Sequence, residues 1–112
     1  MLIWQVGMDI VEETYKFTEK FPPQEKFGLT SQMRRAAVSI PSNISEGYRR
    51  KTNSDFLNFL HITFGSASEL ETQSLIAFRL NYLGKKDFDV LEQHLNRFLR
   101  LLNGFIRSRT NS

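Results

Sequence analysis

The residues of this chain best suited to chemistry are basic, and they come in two short runs. Tyr48 is followed at once by Arg49, Arg50 and Lys51, and Arg107 and Arg109 stand near the end of the sequence. Guanidinium and ammonium groups suit phosphate oxygens, which supply affinity without reading base sequence. A tyrosine beside them suits stacking on an unpaired base. The same charges also suit helix C-termini, where they meet the negative end of the macrodipole. No recognised RNA-binding motif accompanies them.

Catalysis has less to work with. Ser39, Ser42 and Ser45 recur every third residue, but a serine nucleophile needs a neighbouring base. His61 and His94 are isolated and fall at different levels of their helices. Glu12 and Glu13 read as a solvated face, and Glu69 and Glu71 point to different sides of one helix. No Glu-x-x-His pair is present to build a carboxylate-bridged metal site, and Gly65 and Gly84 stand alone rather than in a phosphate-binding loop. With no cysteine there is neither a disulfide nor a thiolate metal site. The expectation is a protein that is not an enzyme and takes no metal and no cofactor. Asn43-Ile44-Ser45 matches a glycosylation sequon, which matters only in a secreted chain. The start of the chain lacks the basic region and apolar core of a secretion signal. No apolar run approaches the ~18–20 residues of a membrane span. Both points favour a cytoplasmic protein with no membrane partner.

The elements that position these residues are helical almost throughout. The chain has 112 residues, 40% of them hydrophobic and ten of them Phe, which predicts one domain, residues 1–112, with a real core. Ile3, Val6, Ile10 and Phe17 mark a first helix over about 2–20, stopped by Pro22-Pro23. Thr30 or Ser31 offers an N-cap for a second helix with a stripe of Met33, Ala37, Ile40, Ile44 and Tyr48. Thr52 to Asp55 resembles a weak capping box for a third, whose stripe is Phe56, Leu60, Thr63, Ala67, Leu70, Ser74 and Ala77. Gly84 suits a helix stop. A fourth helix over about 86–108 carries Phe88, Leu91, Leu95, Phe98, Leu102 and Phe105. The closing Arg109–Ser112 reads as a fraying tail. Short connections predict an all-α, antiparallel up-down-up-down four-helix bundle. Phe59, Ile62, Phe64, Leu75 and Phe78 lie off the main stripe of the third helix, which favours a homo-oligomer.

Pro41 sits inside the second helix, where it has no N–H for the Ala37 carbonyl, so a kink is expected there. Nearby serine hydroxyls can satisfy loosened carbonyls. Folding the second helix on the third about residue 52 sets Ala36, Ala37 and Ser39 level with Gly65–Ser68. Small faces small, so close backbone approach is the expected reason for Gly65. Gly47, like Pro41, interrupts this otherwise helical stretch and is counted with it as part of one structural motif. Arg35 falls level with Glu69 and is expected to pair with it, and Glu46 with Arg50 one turn along.

The same stretches carry a family resemblance. Residues 29–50, "LTSQMRRAAVSIPSNISEGYRR", followed by 56–73, "FLNFLHITFGSASELETQ", closely resemble the bacterial four-helix proteins named for intervening sequences of 23S ribosomal RNA genes, also called ribosomal protein S23-like. "FPPQEKFGLTSQ" and "NYLGKKDF" extend the likeness over nearly the whole chain. The resemblance implies an all-α bundle assembled as a ring-shaped homopentamer and a role in RNA association, with structured or ribosomal RNA as the partner. It also brings a second class of partner, because relatives act as accessory proteins to reverse transcriptases. Thr63-Phe64 stands where the family pattern has Ala, placing a bulky side chain beside Gly65.

In such a bundle the end of the second helix, the start of the third and the end of the fourth share a pole. That pole gathers Tyr48, Arg49, Arg50, Lys51, Arg107 and Arg109, with Arg100 a turn or two away and Glu46 and Asp55 as the nearby acids. The opposite pole mixes Lys20, Lys26, Lys85 and Lys86 with Glu19, Glu25, Asp87 and Asp89. A protein-interaction scaffold, or a reverse-transcriptase accessory protein that never touches RNA, needs only the assembly and an exposed face, and is the rival reading.

Overall fold

Apolar spacing dictates where the helices run and which side of each is buried. The computed structural model describes residues 1–110. Among them α1 spans Leu2–Thr18, α2 Leu29–Tyr48, α3 Asn53–Arg79 and α4 Lys85–Thr110, with a 3-10 turn at Pro23–Glu25 between α1 and α2. No strand occurs among the described residues. The four-helix, all-α architecture matches the periodicity. In α3 every residue of the sequence stripe is buried, from Phe56 to Ala77. In α1 Ile3, Val6, Ile10 and Phe17 are buried, and in α4 Leu91, Leu95, Phe98 and Leu102. Each large side chain taken fully from water contributes roughly 1.5–3 kcal/mol. Phe88 and Phe105 are only half-buried against this core, because they sit near the two ends of α4. Tyr48 leaves the stripe altogether and is 63% exposed.

The helix ends differ from the sequence reading in instructive ways. Neither Thr30 nor Ser31 caps α2. Gly28 is the N-cap residue, and the Glu25 carboxylate reaches forward to accept the Leu29 N–H at 3.0 Å. Thr30 is buried instead. Thr52 does cap α3, accepting the Asp55 N–H at 3.1 Å. Gly84 does not end α3. Asn81 does, in the left-handed region at φ 64°, with its own N–H on the Phe78 carbonyl at 3.0 Å and the Tyr82 N–H on Ala77 at 2.9 Å. That is a Schellman motif, with asparagine replacing the usual glycine. Gly84 lies at the start of α4, where its carbonyl accepts the Phe88 N–H at 2.9 Å. Residues 109 and 110 are helical rather than frayed, with the Thr110 hydroxyl donating to the Ile106 carbonyl at 2.8 Å. The rest of the expected tail, Asn111 and Ser112, lies outside the described residues.

α2 remains helical on both sides of Pro41, which is buried. The Ser39 hydroxyl is used between helices, bonding Ser66 of α3 at 2.8 Å and accepting the Asn43 amide at 2.8 Å. The same amide donates to the Ser39 carbonyl. Ala36, Ala37 and Ala67 are buried along this seam, so small does face small. The glycine that matters there is Gly47. A Cβ on Gly47 would stand 2.6 Å from Phe59 Cβ and 2.9 Å from Phe56 Cδ1. Gly65 is exposed, and a Cβ there would meet nothing within 4 Å. The close-approach explanation of Gly65 is therefore wrong. Gly65 has the right height on α3 but the wrong side.

Arg35 and Glu69 fail for the same reason. Both are exposed, and no hydrogen bond or ion pair joins them among the described residues. The neighbouring Arg34 turns toward α1 instead. Its Nε donates to the Thr18 hydroxyl at 2.9 Å, and its guanidinium lies 4.5 Å from the Tyr15 ring centroid. Glu46 and Arg50 pair as expected, at 2.6 Å.

Two expectations follow for stability. In urea unfolding, Gly47→Ala costs about 1–3 kcal/mol through overpacking against Phe59, whereas Gly65→Ala stabilises by up to ~1 kcal/mol through helix propensity. At the far end Tyr82 donates its phenol to Glu25 at 3.0 Å. That bond, then desolvation and the carboxylate charge, hold its pKa above the ordinary 10.0. The proton is kept more tightly in the folded state. The stabilisation is complete below the unfolded value and is lost as pH climbs through the folded one. Tyr82→Phe should therefore flatten the alkaline limb of a pH–stability profile.

Candidate nucleic-acid interface

The basic runs of the sequence meet because α2 stops abruptly. Tyr48 is its last residue, and Arg49 is the C-cap. The Arg50 N–H closes the turn on the Gly47 carbonyl at 3.1 Å. Residues 49–51 thus fill a tight connection before Thr52 caps α3, and all three side chains are exposed. At the end of α4 the Arg109 carbonyl accepts the Asn53 side-chain amide at 3.0 Å. That bond ties the last turn of α4 to the first turn of α3. The structure therefore brings Tyr48, Arg49, Arg50, Lys51, Arg107 and Arg109 to one end of the molecule.

Their surroundings separate them into two groups. Arg50 is compensated, with Glu46 on one side and the Phe59 ring 4.8 Å away on the other. Arg109 is held by packing. Its guanidinium lies 5.1 Å from the Phe56 centroid and 5.0 Å from that of Phe105. These rings belong to a ladder in which Tyr48 meets Phe56 edge-on at 6.1 Å and Phe56 meets Phe105 at 5.8 Å. The side chains of Arg49, Lys51 and Arg107 are exposed and make no hydrogen bond or ion pair among the described residues. Arg100 is exposed on α4.

The sequence reading missed the contribution of α1. An open cleft of about 500 Å³ is lined by Met1 and Trp4 of the α1 start, Ser45, Tyr48 and Arg49 of α2, and Phe105 and Arg109 of α4. The start of a first helix belongs at the pole where the second ends, so the topology itself held the signal. The reading of Glu13 as solvated also needs correction. Glu12 is exposed, but Glu13 crosses from α1 to α4 and meets His94 Nδ1 at 2.6 Å. His61 is exposed on α3. Among the described residues no three His, Asp or Glu side chains gather as a metal site.

The opposite end is mixed in charge, with Lys20, Lys26, Lys85 and Lys86 against Glu19, Glu25, Asp87 and Asp89, and of these lysines Lys85 alone is ion-paired among the described residues. Lys85 pairs with Asp89 at 3.1 Å, and Glu25 is occupied by Leu29 and Tyr82. The described chain has principal extents of 46 × 24 × 18 Å, so its two ends lie several Debye lengths apart at physiological salt. Each end presents its own field.

An all-α four-helix fold with basic and aromatic side chains collected at one end is the class of protein defined so far. Residues 1–104 match the family of 23S rRNA-intervening sequence proteins, and the chain belongs to that family. Its fold is similar to that of a Bacteroides thetaiotaomicron protein of unknown function from the S23 ribosomal protein family, solved by crystallography, with a TM-score of 0.83. The two are 23% identical over 93% of this chain and 97% of the other. No curated protein matches the chain in sequence. No helix among the described residues is long and apolar enough to cross a membrane.

Proposed function

We propose that this chain is a non-enzymatic, RNA-associated protein that assembles with copies of itself and holds the phosphate backbone of structured or ribosomal RNA at its basic end. The observation that carries this reading is the exposure of Arg49, Lys51 and Arg107 around a cleft edged by Arg109. Charges left without acidic partners at one end make a positive field that attracts polyanions. Membership of a family named for ribosomal RNA genes agrees with it. Such binding is electrostatic, falls steeply with salt and carries little sequence information.

Assembly is supported by apolar side chains that the single chain leaves in water. Ile62, Ile76 and Leu80 fall on one line of α3 and its cap, with exposed Glu69 between the first two, and are 50%, 43% and 51% exposed. A line of this kind suits burial against another protein surface. The homo-oligomer is a pentamer in the reading that the family resemblance carries. The same line favours the second reading, a scaffold or reverse-transcriptase accessory protein that does not touch RNA.

The two readings separate on one variant. Arg49→Glu combined with Arg107→Glu should abolish the gel shift of bacterial RNA at low salt while light scattering shows an unchanged assembly. Intermediate charge-neutralised variants should lower the log–log salt slope by about 0.7 per lost single-strand phosphate contact. RNA binding unchanged in the double variant would overturn the assignment to this end. RNA binding absent from the native protein at every salt concentration would favour the scaffold. Separately, Ile62→Glu with Ile76→Glu should lower the mass seen by light scattering to that of a single chain. An unchanged mass would remove α3 from the interface.

A further inference from the structure

We propose that the cleft at the basic end receives an unpaired base of RNA against Trp4 and Tyr48, with the adjoining phosphates on Arg49 and Arg109. This rests on the reading of that end as an RNA-binding surface, and it goes further by naming the form of RNA recognised.

Trp4 and Tyr48 are 36% and 63% exposed and line the same cleft. Burying such rings is strongly favourable, yet the fold leaves both at an opening. A volume of about 500 Å³ falls within the ~300–1,000 Å³ of small-ligand sites. The Tyr48 ring is braced edge-on by Phe56, which in turn abuts Phe105. Arg109 packs across those two supporting rings. Platform and cation are thus set before a ligand arrives, which lowers the ordering cost of binding. Ser45 adds a hydroxyl to the wall for a base edge or a sugar. A second opening of about 430 Å³ shares Trp4, Ser45 and Arg49 and continues past Pro41 and Ser42, with Glu46, the partner of Arg50, on its wall. A single strand therefore has room to pass along the α1–α2 groove.

Duplex RNA does not fit this arrangement. Its bases are stacked inside an A-form helix that shows proteins its phosphates, 2′-hydroxyls and a shallow groove. Away from its ends it can engage the arginines but cannot place a base face on an indole or phenol. Discrimination between single strand and duplex is therefore a property of Trp4 and Tyr48. Attraction to either form is a property of the cations.

The protein carries its own reporter, because Trp4 is its only tryptophan. The native protein would be titrated at low salt with a short oligouridylate and with a blunt RNA duplex. Tryptophan emission and the anisotropy of labelled RNA would be recorded together. The expected result is binding of both RNAs, with emission quenched by the oligouridylate alone. Tyr48→Ala, an exposed position whose folding is checked by circular dichroism, should weaken oligouridylate roughly 5- to 150-fold, the range of one lost base stack. Duplex affinity should change less than about twofold. Trp4→Ala, followed by anisotropy, should reproduce that split. If both RNAs bind with unchanged emission and Tyr48→Ala weakens neither selectively, the cleft proposal falls and the phosphate-binding end stands. If neither RNA binds the native protein, both fall.

Discussion

The arrangement of this protein's basic end depends on one close contact, that of the α2 backbone at Gly47 with Phe56 and Phe59 of α3. The missing Cβ lets two phenyl rings lie against the last turn of α2. Phe56 then becomes the hub of the end, touching Tyr48, Phe105 and Arg109. Phe59 lies beneath Arg50. Position 47 thus sets how near α3 comes, and through Phe56 it also sets where the α4 terminus rests. A methyl group there would press on side-chain roots that cannot swing aside. The packing of a helix pair and the geometry of a candidate ligand cleft are one constraint.

Charge follows the same logic of position. The overall charge of +3 is modest, but it is not spread evenly. One end ties its acids into capping and ion pairs, through Glu25, Lys85 and Asp89. The other end has Glu46 paired with Arg50, while the Arg49, Lys51 and Arg107 side chains make no ion pair among the described residues. An exposed i,i+4 pair contributes only about 0.3–0.5 kcal/mol to stability. Its main consequence here is that the Glu46 carboxylate offsets part of the Arg50 charge, so Arg50 adds less to the positive field than Arg49, Lys51 or Arg107. The residues carrying the proposed function are then Arg49, Lys51 and Arg107 as exposed contacts, and Arg109 as one packed on Phe56 and Phe105.

Much of the fold was legible in the sequence because apolar periodicity encodes which side of each helix is buried, and the α3 stripe from Phe56 to Ala77 was recovered whole. Matching levels across the α2–α3 turn correctly brought Ser39 near Ser66. The same matching misassigned Gly65 and the Arg35–Glu69 pair, since it fixes height along a helix but not direction around it. Direction depends on where all neighbours sit, and that gave the packing role to Gly47 and the cross-helix role to Arg34. Asn81 was passed over for Gly84 because a left-handed residue need not be glycine. The basic end was legible from topology and charge. Trp4 was not, because it lies 44 residues before Tyr48 and looks like one more apolar residue of an amphipathic helix. Glu13 was hidden likewise, its partner His94 lying on the last helix.

The central claim is that RNA meets this protein at the end built from Trp4, Tyr48–Lys51 and Arg107–Arg109. The most direct test is ultraviolet crosslinking of RNA to the native protein, followed by mass mapping of the modified peptides. The account predicts adducts on peptides containing Trp4, Tyr48 and Phe105, disappearing together as salt is raised. Adducts confined to the Lys20, Lys26 and Lys85 end, or to the outer line of α3, would contradict it.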